Sequence, residues 1–361
     1  MKPLILSFLL LVSLNNLFAQ TADRPKLVVG IVVDQMRQEY LYRFDSKFGK
    51  GGFKRIIGDG FMLKNAHYNY VPTETGPGHA SVYTGTTPAI HGIVANEWYD
   101  RALKKEVNCV SDDKQKTIGS ESKAGEISPW RNLATTITDE LELATQRRAK
   151  VIGISIKDRG AVLPAGHIPD GAYWYDPLNG NFITSTYYKA ALPVWVDEFN
   201  KLKLPFKYLN QEWKTLLPID QYKESGIDDS PYEGKFKGKE RATFPYNLKE
   251  LRTTNSPYDL VTVTPFGNDL LAEFATAALE GEELGKDDIT DFLAISFSST
   301  DKIGHFMGPN AVEVEDTYLR LDRTLEDLLN TLDSKVGKGN YTVFLTADHG
   351  VAEVPQYMTD L

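Results

Sequence analysis

The stretch KLVVGIVVDQM, from Lys26 to Met36, constrains the fold more than any other part of the chain. It is an unbroken, largely β-branched apolar run without polar alternation, which is stable as a strand only when both faces are covered, as in a parallel sheet between helices. The run ends on Asp34, and open α/β sheets bind their ligands at the carboxyl ends of parallel strands. Three further runs repeat the arrangement. KVIGISI (Lys150 to Ile156) delivers Lys157 and Arg159, Phe292 to Phe297 delivers SSTDKIGH, and YTVFLT (Tyr341 to Thr346) delivers Asp348 and His349. Helical patterns over Leu133–Arg148, Asn268–Leu279 and Val312–Leu332 lie between or after these runs. In the last, Tyr318, Leu321, Leu325, Leu328 and Leu332 recur at steps of three and four and form one apolar stripe. Alternation of this kind implies an α/β fold, a doubly wound, mostly parallel sheet flanked by helices. From Asp170 to Val261 the pattern dissolves into Tyr, Trp, Pro, Gly and Lys without a clear period. That stretch is expected to be a cap or insertion (170–261) between the two parts of a catalytic α/β unit, 20–169 and 262–361.

Residues 1–19 begin with Lys2 before an apolar run and end at Ala19, the layout of a cleavable export signal, and the run is too short and too broken by Asn15 and Asn16 to span a bilayer well. Secretion to the periplasm or beyond follows, without stable membrane insertion after cleavage. Cys109 is the single cysteine, so no intrachain disulfide is available and an exported chain must rely on its core and on metals. The formal charge of −9, which becomes −10 once Lys2 is removed, and the lack of a basic run exclude nucleic acid as a partner. A small anion must instead be captured by a few local cations.

Candidate ligands sit at the strand ends. Asp34, Asp301, His305, Asp348 and His349 mix carboxylate oxygen with imidazole nitrogen, a donor set suited to a borderline divalent ion. Asp301 and His305 are four apart, one helical turn, and Asp348 and His349 are adjacent in a loop. Each taken alone reads more readily as an N-cap or a structural turn than as a ligand; carboxylates at the ends of three strands of one sheet favour a metal site. In VPTETGPGHASVYTG, Pro77 suits the first turn of a helix through His79 to Tyr83, which puts Thr75 at a helix N-terminus where free amides favour anions. Thr75 reads either as a cap or as a nucleophile, and the second needs a metal or base to form the alkoxide. Lys157 and Arg159 in SIKDRG, with Asn96 in HGIVANEWYD, supply cations and a neutral donor for phosphoryl oxygens.

The joint set VVDQM, PTETGPGHASVYTG, SIKDRGAVLPAGH, STDKIGH and TADHG resembles the alkaline phosphatase superfamily, most closely its secreted, phosphate-irrepressible monoesterases with a threonine nucleophile. The resemblance implies two zinc ions. Asp34, Asp348 and His349, with Thr75, would hold the first, and Asp301 and His305 would hold the second, on the leaving-group side. It further implies Asn96, Lys157 and Arg159 as phosphoryl-binding residues, small-molecule phosphate esters as substrates, and a monomer. A Lys-x-Arg pair fits the third terminal oxygen of a monoester and fills the room a diester needs, which separates this reading from the phosphodiesterases and nucleotide pyrophosphatases of the same superfamily. A non-catalytic metal-binding scaffold is the alternative of another class. Relatives carry a further zinc-binding histidine beyond the DHG segment. His67, His79, His91 and His167 are the histidines left to replace it, each in a context with its own structural role, and the chain is expected to be part of a longer one. Trp174, Trp195 and Trp213 read as core packing rather than as the lining of an entrance.

Overall fold

The computed structural model describes residues 24–361; the expected export signal lies outside them. Seven strands form the sheet: β1 (Leu27–Val33), β2 (Thr117–Ile118), β3 (Val151–Ser155), β4 (Gly171–Asp176), β5 (Asn181–Ser185), β6 (Asp291–Phe297) and β7 (Tyr341–Thr346). Their spatial order is β7-β1-β6-β3-β4-β5-β2. The first five are parallel, with Leu27 opposite both Asp291 and Tyr341, and Phe292 opposite Val151. Every residue of β3 and β6 is buried, as their unbroken apolar character demands. Because these strands run the same way, Asp34, Lys157, Ser298 and Ala347 all leave the sheet at one end.

Five helices matter for the site: α1 (Thr75–Thr84), α2 (Asp158–Ala165), α3 (Phe266–Gly281), α4 (Ser299–Met307) and α5 (Val312–Leu332). The last matches its sequence pattern residue for residue, and its stripe of Tyr318, Leu321, Leu325, Leu328 and Leu332 is buried in the main core. The pattern over Leu133–Arg148 yields a shorter helix, Ile137–Ala144, which starts at a capping box formed by Thr136 and Asp139. No helix among the described residues is long and apolar enough to cross a membrane.

The boundary drawn at 170 falls inside the sheet. Residues 171–176 pair parallel with β3 and 181–185 turn back antiparallel, so the first part of the expected insertion extends the sheet instead. Tyr-Trp-Tyr and Phe-Ile-Thr strands, joined through Pro177 and a left-handed Gly180, carry little of the Val/Ile signature that marks the other strands. The remainder, roughly 194–262, is short helices and a two-residue β pair that pack on α3 and α5. Trp213 donates to Asp316 at 2.8 Å, Trp174 donates to the Ala124 carbonyl at 2.8 Å, and Trp195 donates to Glu282 at 2.7 Å, so the tryptophans are structural.

Candidate active site

Asp34 follows β1, and its backbone N–H still bonds the Phe297 carbonyl at 3.0 Å, which fixes its position against the neighbouring strand. Thr300 Oγ1 donates to the Asp34 carbonyl at 2.6 Å and locks the start of α4, whose first turn carries Asp301. Asp348 and His349 arrive from the loop after β7. Gly78 lets α1 pass against that loop: a Cβ there would stand 2.4 Å from the Asp348 carbonyl oxygen. Thr75, the first residue of α1, is buried and places Oγ1 3.4 Å from Asp34 Oδ1. Side chains scattered over three hundred positions thus meet at one end of the sheet.

The charges are dense. Asp34 and Asp348 are fully buried and Asp301 nearly so. Lys157 Nζ donates to Asp34 Oδ2 at 2.8 Å, to Thr75 Oγ1 at 3.2 Å and to Asp301. His349 Nε2 stands 3.2 Å from Asp34 Oδ1 and 3.7 Å from Asp301 Oδ1. Burial works against the Asp34 carboxylate, but the Lys157 charge and the bond to His349 hold its carboxyl well below the usual range. For Asp348, burial and then repulsion from Asp34 push the carboxyl up. Burial opposes a charge on His349, yet the Asp34 bond and the Asp348 charge lift its ring to about 9.

A metal fits this donor set. Asp34, Asp301 and His349 bring one ligand atom each within 4.8 Å of one another. Asp348 Oδ1 accepts from the Gln35 and His349 N–H groups, at 3.1 and 2.9 Å, whereas Oδ2 is buried without a hydrogen bond. His79 Nδ1 is 3.1 Å from that oxygen, but its hydrogen-bond geometry is with the Thr75 carbonyl at 2.8 Å, so the close approach satisfies nothing at Oδ2. A bare carboxylate oxygen among three buried carboxylates is a deficit that a divalent cation fills, and mixed oxygen and imidazole donors suit zinc.

His305 joins the site through Asp301, with Nε2 at 3.1 Å from Oδ1, while its side chain is 70% exposed. Asn96 Oδ1 accepts from the Gly76 N–H at 2.7 Å and its own N–H bonds Glu74 at 2.6 Å, leaving its amide NH2 without a partner among the described residues. Arg159, the second residue of α2, lies 3.4 Å from Asp158, feels the Asp34 and Asp301 charges after that of Asp158, and has a buried Nε with no acceptor. The four other histidines are committed elsewhere: His67 to Asn65, His91 to Ser81, His167 to Asp139 and Asn132, and His79 to Thr75 and Ser296. None of them completes the set around Asp301 and His305. Sequence reasoning passed over Gln35 and the buried hydroxyls of Ser155, Ser296 and Ser298. The one signal for Ser296 and Ser298 was a polar Ser-Phe-Ser-Ser run closing an apolar strand, and it names no partner.

Residues 28–360 match the type I phosphodiesterase / nucleotide pyrophosphatase family. Alkaline phosphatase PhoV of Synechococcus elongatus is 53% identical over 343 residues, 95% of this chain and 62% of that protein. Alkaline phosphatase PafA of Elizabethkingia meningoseptica is 52% identical over 336 residues, 93% of this chain and 61% of that protein. The chain therefore spans about three-fifths of the length of these relatives. The crystal structure of PafA superposes with a TM-score of 0.91 over 93% of this chain and 65% of that one. A PafA variant with one threonine changed to serine and one asparagine, one lysine and one arginine changed to alanine superposes equally well, with a TM-score of 0.91 at 51% identity. With the sheet, the carboxylate cluster and the match along nearly all described residues in agreement, this chain belongs to the type I phosphodiesterase / nucleotide pyrophosphatase family, and with it to the alkaline phosphatase superfamily.

Proposed function

We propose that the chain hydrolyses phosphate monoesters with two zinc ions and a covalent phospho-threonine at Thr75. The observation that carries the reading is the position of Thr75 Oγ1, at the start of α1 and within 3.2–3.4 Å of Lys157 Nζ and the Asp34 carboxylate, in a site that also holds a buried Asp348 oxygen without a donor. Asp34, Asp348 and His349 would hold one ion and Asp301 and His305 the other. Zinc in these positions supplies a lowered pKa for the attacking hydroxyl or water and positive charge at the leaving oxygen. Thr75, held by the first turn of α1 and by the bond from Gly76 N–H to Asn96, gives up its proton and attacks phosphorus as the ester P–O bond breaks and the alcohol leaves, and water then cleaves the phospho-threonine to release inorganic phosphate and restore the hydroxyl. Lys157, Arg159 and the free amide of Asn96 neutralise the equatorial oxygens, where a loose phosphoryl transition state needs most of its stabilisation. The residue types changed in the PafA variant are those of Thr75, Asn96, Lys157 and Arg159 in the same order, which supports these roles. Export and monomeric action on small phosphate esters belong to the same proposal.

The family description favours a second reading, hydrolysis of diesters or nucleotide pyrophosphates. An aryl monoester assayed against an aryl diester separates the two. In the same assay Thr75→Ala is expected to abolish the covalent phosphoprotein and lower turnover by at least about a thousandfold, in line with other lost nucleophiles, while zinc content stays intact. A Thr75→Ala protein with full turnover removes the nucleophile from the mechanism.

A further inference from the structure

Gln35 has no part in the chemistry above, yet it bonds two of the buried carboxylates of the site. It directly follows Asp34, is 3% exposed, and sits in the left-handed region at φ 65°, which residues with a Cβ seldom adopt. In that conformation its backbone N–H donates to Asp348 Oδ1 at 3.1 Å, and its side-chain Nε2 donates to Asp301 Oδ1 at 2.9 Å. Space for the amide comes from α4: a Cβ on Gly304 would lie 2.0 Å from Gln35 Oε1.

We propose that Gln35 is a positioning residue that ties the carboxylates of the two metal positions together, its main chain holding Asp348 and its side chain holding Asp301. The inference rests on the two-ion reading. Two ions clamp the entering and leaving oxygens only when ~3.5–4 Å apart. Asp348 comes from a loop after the edge strand, whereas Asp301 comes from the first turn of a helix, so the two are not fixed to each other by the sheet. His349 Nε2 approaches both but at 3.7 and 3.8 Å, beyond hydrogen-bonding distance. Gln35 is the one residue among those described that hydrogen-bonds both side chains. By occupying Asp348 Oδ1, it also leaves Oδ2 as the oxygen open to a cation.

Two variants split the tie. Gln35→Met keeps the side-chain length and the left-handed backbone but deletes the donor to Asp301. Gln35→Gly eases the backbone and keeps the N–H to Asp348, again without the side chain. Zinc binding to the full chain is titrated against a competing chelator, with cobalt(II) absorption as a second readout of ligand geometry, and Asp301→Asn identifies the step that depends on Asp301. Both variants are expected to weaken that step by about 10–100-fold and to leave the step held by Asp34, Asp348 and His349 within about threefold, the size of effect that supporting partners of metal ligands have. A residue that only stabilises the fold gives variants that differ in melting temperature and share no metal defect. Unchanged affinity at both steps, or an equal loss at both, overturns the tie. A wild-type chain that takes up less than two equivalents overturns the two-ion reading and the tie with it, whereas two equivalents in the wild type with wild-type affinity at both steps in both variants overturn the tie alone.

Discussion

Lys157→Met removes a charge from the centre of the site while keeping the reach of the side chain, and its consequences have opposite signs in different assays. The ammonium is 2.8 Å from Asp34 and 3.2 Å from Thr75, bonds Asp301 as well, and its side chain is only 9% exposed. A hydrogen bond to a charged group nets ~1.5–3 kcal/mol, so losing the contact to a terminal phosphoryl oxygen is expected to lower monoester kcat/KM by about 10–150-fold. Diester turnover, with one fewer terminal oxygen and one less negative charge on the phosphoryl group, should fall far less. Zinc binding moves the other way. Lys157 and a cation compete for the same two carboxylates, Asp34 and Asp301, so the variant should bind zinc more tightly, by about tenfold if half of that interaction is recovered. Without zinc, leaving buried carboxylates uncompensated should cost ~3–5 kcal/mol at neutral pH, read by urea unfolding in chelator. Asp34 sets how that cost varies. Its carboxyl is held below the usual value, with Lys157 the largest effect in that direction, so its stabilising contribution is present above about pH 4 and is lost as pH falls through the folded-state value. The wild type and the variant should therefore converge in acid. Weaker zinc binding together with undiminished monoester turnover refutes the reasoning.

Zinc must displace the proton that His349 holds up to about 9, so apparent zinc affinity is expected to rise by roughly tenfold per pH unit from pH 7 towards 9 and then level off, measured by chelator competition. In the metal-free chain the same raised value gives stability that is complete below about pH 6.5 and lost as pH rises through about 9. Burial raises Glu313 to about 7, and burial followed by the Glu313 charge raises Glu233 to about 8. Both contributions are fully present below about pH 4.3 and disappear as pH rises through those values. Glu313→Gln should accordingly gain stability relative to wild type between pH 5 and pH 9, and a constant difference by thermal unfolding contradicts the assignment. Gly78→Ala places a methyl 2.4 Å from the Asp348 carbonyl oxygen, so it should destabilise by ~1–3 kcal/mol and weaken zinc binding; a variant with wild-type zinc affinity means the loop after β7 has room to move.

Much of this protein is written locally. Unbroken runs such as LVVGIVV and DFLAISF have nowhere stable to be except between two layers of helices, and the period of Val312–Leu332 fixes that helix to the residue. Chemistry-bearing residues at the ends of those runs were legible for the same reason, because parallel strands send their carboxyl ends to one side. Tertiary structure decided what no single stretch encodes. The strand at 171–176 gains its place from β3 beside it, and 181–185 from 171–176 in turn, since their aromatic and hydroxyl residues suit a sheet only when a neighbour covers them. Lys157 could be read as a phosphate binder from its position, but its bonds to Asp34, Thr75 and Asp301 exist only once three chain segments converge. Gln35 stood inside the VVDQM motif with no signal of its own role: that role depends on a left-handed backbone and on the absence of a side chain at Gly304, and hydrogen bonds across hundreds of residues leave no periodicity to read.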